Sequence, residues 1–232
     1  MNLAVAVRRH KYGVLLVLLL ASLGIVLFNA RPGVEGFLSD AFRTVLGVAI
    51  WIIVFERPRE RAAMAVVLLA SLAINWGHYF AAAGLDHAVS LAHNAVMSLF
   101  LWGAVWAILR DLFRTQAVGA ENVLGAICGY LIAGDAWAGI NTITYLLAPA
   151  AYSINPEVSA LLADWQGRLA LFTYYSFAQL LTIGYADVTP VRAPATTLSL
   201  FGALFGLFYT AVVVSQFVGM AQSVRHRTPG DP

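Results

Sequence analysis

Residues 168–190 read RLALFTYYSFAQLLTIGYADVTP, and this stretch organises the rest of the 232-residue chain. Its first part, 168–181, has the composition of a short helix, but about 13 residues cannot cross a bilayer whose apolar core requires about 20. The helix is therefore predicted to be re-entrant. It is followed at once by Thr-Ile-Gly-Tyr, and non-helical backbone is tolerated at membrane depth only where protein or a water-filled cavity surrounds it. This arrangement predicts the lining of a pore.

The composition of the whole chain excludes a soluble domain. Hydrophobic residues make up 60% of the sequence and charged residues 11%, whereas soluble proteins average roughly half and a quarter. A net charge of +2 with scattered basic residues provides no basic face for nucleic acid. Only Cys128 is available for thiol chemistry, so one chain can form neither a disulfide nor a thiolate metal cluster. The expected partners are lipid, copies of the same chain and monovalent cations.

Six apolar stretches flank or precede the re-entrant segment and are long enough to span a membrane: 11–29, 37–55, 62–83, 88–109, 122–148 and 194–220. The predicted fold is an all-α membrane protein with six transmembrane helices plus a re-entrant helix and loop. Lysine and arginine accumulate at both ends of the chain and in alternate loops, and such residues favour the cytoplasmic side. Both termini are therefore predicted to be cytoplasmic. The length of the first stretch favours a retained helix over a cleaved signal peptide.

The segment 181–190 resembles the selectivity-filter signature of potassium channels, which has the form TVGYG. Thr182, Ile183, Gly184 and Tyr185 match this signature, whereas Ala186 stands in place of its second glycine. The resemblance extends over about 122–220 and is to bacterial ion channels whose two-helix pore module is preceded by four extra helices. It implies a location in the bacterial inner membrane.

This resemblance divides the chain into a four-helix transmembrane domain, 1–115, and a pore domain, 116–232. The pore domain would comprise an outer helix 122–148, a pore helix 169–181, a filter 182–187 and an inner helix 194–220. Because each chain carries one filter segment, four chains are needed to close a ring of carbonyl groups. The implied protein is a homotetramer that passes potassium ions passively, without a cofactor or a resident metal ion.

The resemblance also assigns individual roles. The backbone carbonyls of the filter would form stacked oxygen rings that replace the water shell of the cation, and the residues concerned are Thr182, Ile183, Gly184, Tyr185 and Ala186. Asp187 would brace the filter through a hydrogen bond to the region of Tyr174 or Tyr175. The C-terminal end of the pore helix would favour a cation, because aligned peptide dipoles give that end about half a negative charge.

Two departures affect the filter itself. Ala186 replaces a glycine that normally adopts positive φ, which costs an L-residue roughly 1–2 kcal/mol, and Leu181 stands where the family usually has a threonine. Three outcomes remain open from the sequence: retained potassium selectivity, weak cation selectivity, or a non-conducting membrane protein with a pore fold.

Glycines in the predicted inner helix allow two interpretations. Gly206 stands where the family commonly has a gating hinge, and Gly202 lies one turn earlier. Both residues equally suit close helix packing in lipid, where small residues let backbones approach. The sequence is consistent with either a hinge or close packing at these two glycines.

The remaining polar residues within the spans carry less specific predictions. Asp135 is the one carboxylate deep in a span, and it suits either a partnered structural or gating role or a neutral, hydrogen-bonded acid. His78, His87 and His93 could titrate or bind a metal, but capping of helix ends and hydrogen bonding across the bundle are the default. Arg110 and Arg114 follow the fourth span and are interpreted as an anchor, since a voltage sensor would need a run of arginines inside the span.

Other function classes lack their sequence features. The chain contains no HExxH, nucleophile elbow, glycine-rich phosphate loop or paired carboxylates at helical spacing, so an enzyme is not expected. A secondary transporter would more often show two similar halves with matched broken helices. Here only one end of the chain carries a re-entrant element.

Overall fold

The computed structural model describes residues 10–28, 36–77, 86–114, 119–184 and 187–225. The described chain is almost entirely helical, with one small antiparallel sheet. Its helices are α1 (Lys11–Phe28), α2 (Gly36–Val54), α3 (Pro58–Gly77), α4 (Asp86–Arg114), α5 (Ala120–Leu147), α6 (Trp165–Leu180) and α7 (Ala193–Arg225). The sheet pairs β1 (Tyr152–Ile154) with β2 (Val188–Pro190).

Five of these helices are long and apolar enough to cross a membrane, namely α2, α3, α4, α5 and α7. Helix α1 has 18 residues, which at a rise of 1.5 Å per residue is about 27 Å, slightly less than an apolar core of about 30 Å. The protein is therefore an all-α, multi-pass membrane protein, as the sequence predicts. The order of helices also matches the six predicted spans and the short helix between the last two.

Helices α3 and α6 begin earlier than the sequence predicts, because residues suited to a helix N-terminus precede the predicted start. Helix α6 begins at Trp165, four residues before the predicted start, because the Asp164 side chain accepts a hydrogen bond of 2.7 Å from the Gly167 N–H. An aspartate at this N-cap position satisfies a backbone donor that the helix leaves unpaired. Helix α3 begins at Pro58, where the missing N–H of proline has no cost in the first turn.

Helix α5 lies at the centre of the packing. Its buried small residues let its neighbours approach closely, as is common between membrane helices. A Cβ atom at Gly134 would overlap the Phe177 ring of α6, and one at Gly139 would overlap Ser98 of α4. Helices α4 and α6 therefore both pack closely against α5.

Ion pairs join several helices at one end of the bundle, which we call the basic end. Lys11 at the start of α1 pairs with Glu56 in the turn after α2, and Arg110 near the end of α4 pairs with Glu60 in the first turn of α3. The Glu121 carboxylate of α5 accepts a hydrogen bond of 3.1 Å from the backbone N–H of Tyr12. Arg110, which the sequence suggests is an anchor, thus has a definite acidic partner.

Two oppositely charged residues line one cavity inside the bundle, toward its other end. Arg43 of α2 and Asp135 of α5 line a cavity of about 80 Å³ together with polar residues that include Asn75, His93 and Ser98. Their charges interact, and Asp40, one turn before Arg43, also interacts with the guanidinium. Charged groups inside a membrane protein usually face a partner or a polar cavity. The structure thus places Asp135 at a polar cavity near an opposite charge, and the choice between a partnered carboxylate and a neutral acid stays a prediction.

This arrangement predicts unequal effects of neutralising the two charges. Arg43→Gln should destabilise the protein by about 3 kcal/mol, because it leaves two carboxylates near the cavity without a counter-charge. Asp135→Asn should cost less, since Asp40 still faces Arg43. The double variant should be more stable than Arg43→Gln alone. Denaturant unfolding in detergent micelles measures these free energies, with Arg59→Gln, at an exposed position in the first turn of α3, as the control. Strictly additive single effects would contradict the coupling.

Candidate functional site

The segment after α6 is tied back onto that helix. Beyond Leu180, the Thr182 N–H donates to the Gln179 carbonyl at 3.0 Å and the Ile183 N–H donates to the Ala178 carbonyl at 2.9 Å. These bonds turn the chain sharply and fix the start of the non-helical segment 182–184 relative to α6. This segment belongs to neither β1 nor β2, and we call it the strand after α6. The last turn of α6 therefore positions residues 182–184.

The backbone of this strand has alternating handedness. Thr182 has φ 55° and Gly184 has φ 71°, and among the described residues Thr182 is the one non-glycine residue with positive φ. In a β-strand successive carbonyl groups alternate in direction, whereas alternating handedness turns successive carbonyl groups toward the same side. For a threonine, positive φ costs roughly 1–2 kcal/mol, and such strain is typical of functional segments. A strand of this kind presents a row of oxygen atoms.

The structure describes three of the five predicted filter residues. Thr182, Ile183 and Gly184 lie together on this strand and are exposed in the single chain, Ile183 to 48%. The Thr182 hydroxyl donates to the Leu181 carbonyl at 2.7 Å. Tyr185 and Ala186 lie outside the described residues, so their roles stay predictions.

Asp187, three positions after Gly184, is held by a partner that the sequence does not predict, Asn155. The Asp187 carboxylate accepts a 3.2 Å hydrogen bond from the Asn155 side-chain amide, and its backbone carbonyl accepts a 2.8 Å bond from the Asn155 N–H. The Tyr175 hydroxyl lies 2.7 Å from Ser199 Oγ, so the predicted hydrogen bond from Asp187 to the region of Tyr174 or Tyr175 stays a prediction. Tyr174 is half-buried on the same helix.

A small sheet explains why Asn155 reaches Asp187. In the antiparallel pairing of β1 with β2, Ile154 lies opposite Val188, so the residues just outside this pair, Asn155 and Asp187, face each other. The two residues are 32 positions apart, with α6 between them, and only the pairing of the strands brings them together. No local sequence pattern indicates that pairing.

The C-terminal end of α6 is enclosed by two other helices. The Tyr130 hydroxyl of α5 donates to the Leu180 carbonyl at 2.9 Å, which satisfies one of the carbonyls that a helix end leaves unpaired. On the opposite side, Gly206 of α7 lies so close that a Cβ atom would overlap the same Leu180 carbonyl. Negative potential from the helix end is thus placed next to the strand, where it favours a cation.

Gly202 and Gly206 differ in the space around them. A Cβ atom at Gly202 would lie 3.4 Å from the Gln179 side-chain oxygen, which is ordinary contact, whereas Gly206 has no such space. Close packing therefore accounts for Gly206 in the described structure. A hinge role for either residue stays a prediction.

The polar residues near α4 do not form a metal centre in the described chain. Among the described ranges no group of three or more His, Cys, Asp or Glu side chains could hold a metal ion. His93 is buried with its ring 4.9 Å from that of Trp165, and His87 is exposed in the first turn of α4. His78 lies outside the described residues.

The fold and the segment after α6 define a class: a multi-pass helical membrane protein in which a short helix and a segment of alternating backbone handedness lie between the last two long helices. Residues 135–223 match a family model described as an ion channel. This match extends from the middle of α5 almost to the end of α7 and includes α6 and the strand after it, which supports an ion channel. No curated protein and no solved structure matches the chain at a significant level.

Substitution of the two inner-helix glycines should separate them. Gly206→Ala should destabilise each chain by about 1–3 kcal/mol, the usual cost of overpacking, because the methyl group has no space beside the Leu180 carbonyl. Gly202→Ala should be close to neutral and is the matched control in the same helix. Thermal unfolding of the detergent-solubilised protein provides the measurement. Equal melting temperatures for the two variants would contradict close packing at Gly206.

Proposed function

We propose that this protein is a tetrameric cation channel that passes potassium passively through a filter of backbone carbonyls. The observation that carries this proposal is the alternating backbone at Thr182 and Gly184, since a row of carbonyls on one side of a strand is what replaces the water shell of potassium. The family match over 135–223 supports the same class. The other expected features follow: no enzymatic activity, a bacterial inner-membrane location and cytoplasmic termini.

The tetramer is supported by the surfaces that a single chain leaves exposed. Only 22% of the apolar window of α7 is buried within one chain. Large apolar side chains along this helix are exposed, including Leu200, Phe201, Leu207, Phe208 and Val214. One strand supplies a single column of oxygens, and four columns around an axis enclose an ion. Contacts with neighbouring copies and with lipid would cover the apolar surface of α7.

Reconstitution of the purified protein in planar bilayers tests conduction and selectivity together. Under opposed potassium and sodium gradients, we expect a reversal potential near the potassium value. The variant that tests the filter is Gly184→Ala. At this position the positive φ makes any side chain costly, even though the surrounding space is open. We expect this variant to lose selectivity or current. Silence of the wild-type protein in repeated, verified insertions would instead favour a non-conducting membrane protein.

Ala186 favours a second candidate, a cation channel with weak selectivity. The family signature has glycine at this position, and positive φ in four alanines costs roughly 4–8 kcal/mol per tetramer. Replacing Ala186 by glycine should therefore shift the reversal potential toward the potassium value if the outer ring is distorted in the wild-type protein. An unchanged reversal potential and current would show that alanine is accommodated.

A further inference from the structure

A buried hydrogen-bond network lies behind the strand, on the side of α6 that faces its neighbours. Asn141 of α5 is fully buried and donates through its amide to Ser176 Oγ at 2.9 Å and to Gln179 Oε1 at 3.2 Å. Its own carbonyl oxygen accepts from the Tyr152 hydroxyl at 2.9 Å. Both hydrogens of the amide and its oxygen are thus used, so the side chain is held at three points.

The same network continues to α7 through Gln179. The Gln179 amide donates to Ser199 Oγ at 2.7 Å, and the Tyr175 hydroxyl lies 2.7 Å from the same atom. Ser199 in turn donates to the Ala195 carbonyl at 2.7 Å. One continuous set of polar groups therefore joins the outer helix α5, the sheet, the re-entrant helix and the inner helix α7.

Tyr152 fixes the direction of hydrogen bonding at one end of the network. Its ring packs among aromatic neighbours, 5.4 Å from the Phe172 ring and 5.9 Å from the Tyr175 ring. Burial raises the pKa of Tyr152 well above its ordinary value, so the hydroxyl keeps its proton and acts as the donor to Asn141. The orientation of the Asn141 amide follows from that bond.

Gln179 connects the network directly to the strained strand. Its backbone carbonyl accepts the bond from the Thr182 N–H that holds the positive-φ turn, while its side chain is held by Asn141 and Ser199. A shift of Gln179 therefore moves the acceptor on which the conformation of Thr182 depends. Among the described contacts, the residues of the strand make hydrogen bonds only to residues 178–181 and none to α5 or α7.

We propose that Asn141, Gln179 and Ser199 are positioning residues that set the ion selectivity of the strand 182–184. This inference rests on the proposed channel function and extends it to residues that do not touch the ion. Held between α5 and α7, Gln179 keeps the Thr182 turn in place and maintains the spacing of the carbonyls. Loss of the network relaxes that spacing, so the filter discriminates less between potassium and sodium.

Ser199→Ala tests the proposal with the smallest change. Alanine suits the helix, and the substitution removes the shared partner of Gln179 and Tyr175, leaving buried polar groups unsatisfied. We expect the permeability ratio of potassium to sodium to fall by about tenfold, which corresponds to one lost hydrogen bond of about 1.4 kcal/mol. Tyr175→Phe removes only a hydroxyl from the same junction and should shift the ratio in the same direction.

Ser215→Ala is the matched control, because Ser215 lies on the same helix, is exposed and bonds only locally to the Val212 carbonyl. It should keep the wild-type ratio. Melting temperatures of all variants separate selectivity from general stability, since a merely structural role would lower the melting temperature without altering the ratio. Wild-type ratios in both Ser199→Ala and Tyr175→Phe would overturn the proposal.

A second readout keeps the inference separate from the proposed function. The potassium concentration that half-protects the tetramer against thermal dissociation reports ion binding without requiring conduction. We expect it to rise about tenfold in Ser199→Ala, matching the loss in the permeability ratio, and to stay unchanged in Ser215→Ala. A wild-type protein that neither conducts nor is protected by potassium would contradict the proposed function, whereas protection that is equal in all variants would contradict only the positioning role.

Discussion

Non-helical backbone in a membrane must have its polar groups satisfied by protein, water or ions, and this constraint governs the structure. The strand after α6 leaves regular helix at Leu180, so its N–H groups bond back to Gln179 and Ala178. Residues from elsewhere in the fold provide further hydrogen bonds on both sides of the strand. The Tyr130 hydroxyl donates to the last carbonyl of α6, and the Asn155 side chain donates to Asp187, three positions after Gly184.

Helix α5 contributes one residue to each of three polar contacts around the pore region and the charged cavity. It contributes Tyr130 to the end of α6, Asn141 to the network behind the strand, and Asp135 to the charged cavity shared with α2. These three residues lie on one helix but face different neighbours. The glycines and alanines between them allow the close approach that makes the contacts short. Helices α1 and α4 of the first four thus pack directly against α5, as do α6 and α7 of the pore region.

The sequence predicts the order of helices well because long apolar stretches are a direct consequence of bilayer thickness. The strand residues are also predictable, since their pattern depends on a few adjacent positions. The start of α6 is in error by four residues, although Asp164 carries a recognisable N-cap preference. The partners Asn155, Arg43 and Asn141 escape prediction for a different reason: each contact joins residues distant in sequence, and only the packing of helices and the pairing of β1 with β2 bring them together.

The hydrogen bond from the Tyr12 amide to Glu121 has a consequence for how the chain is made. The two residues are separated by 109 positions, and the acceptor lies in the first turn of α5. During synthesis the first helix enters the membrane well before this carboxylate exists, so the amide near its beginning must be solvated by water or lipid headgroups in the interval. Capping of this amide by Glu121 therefore requires that α5 has been made, the helix that also contributes Tyr130 and Asn141 to the pore region.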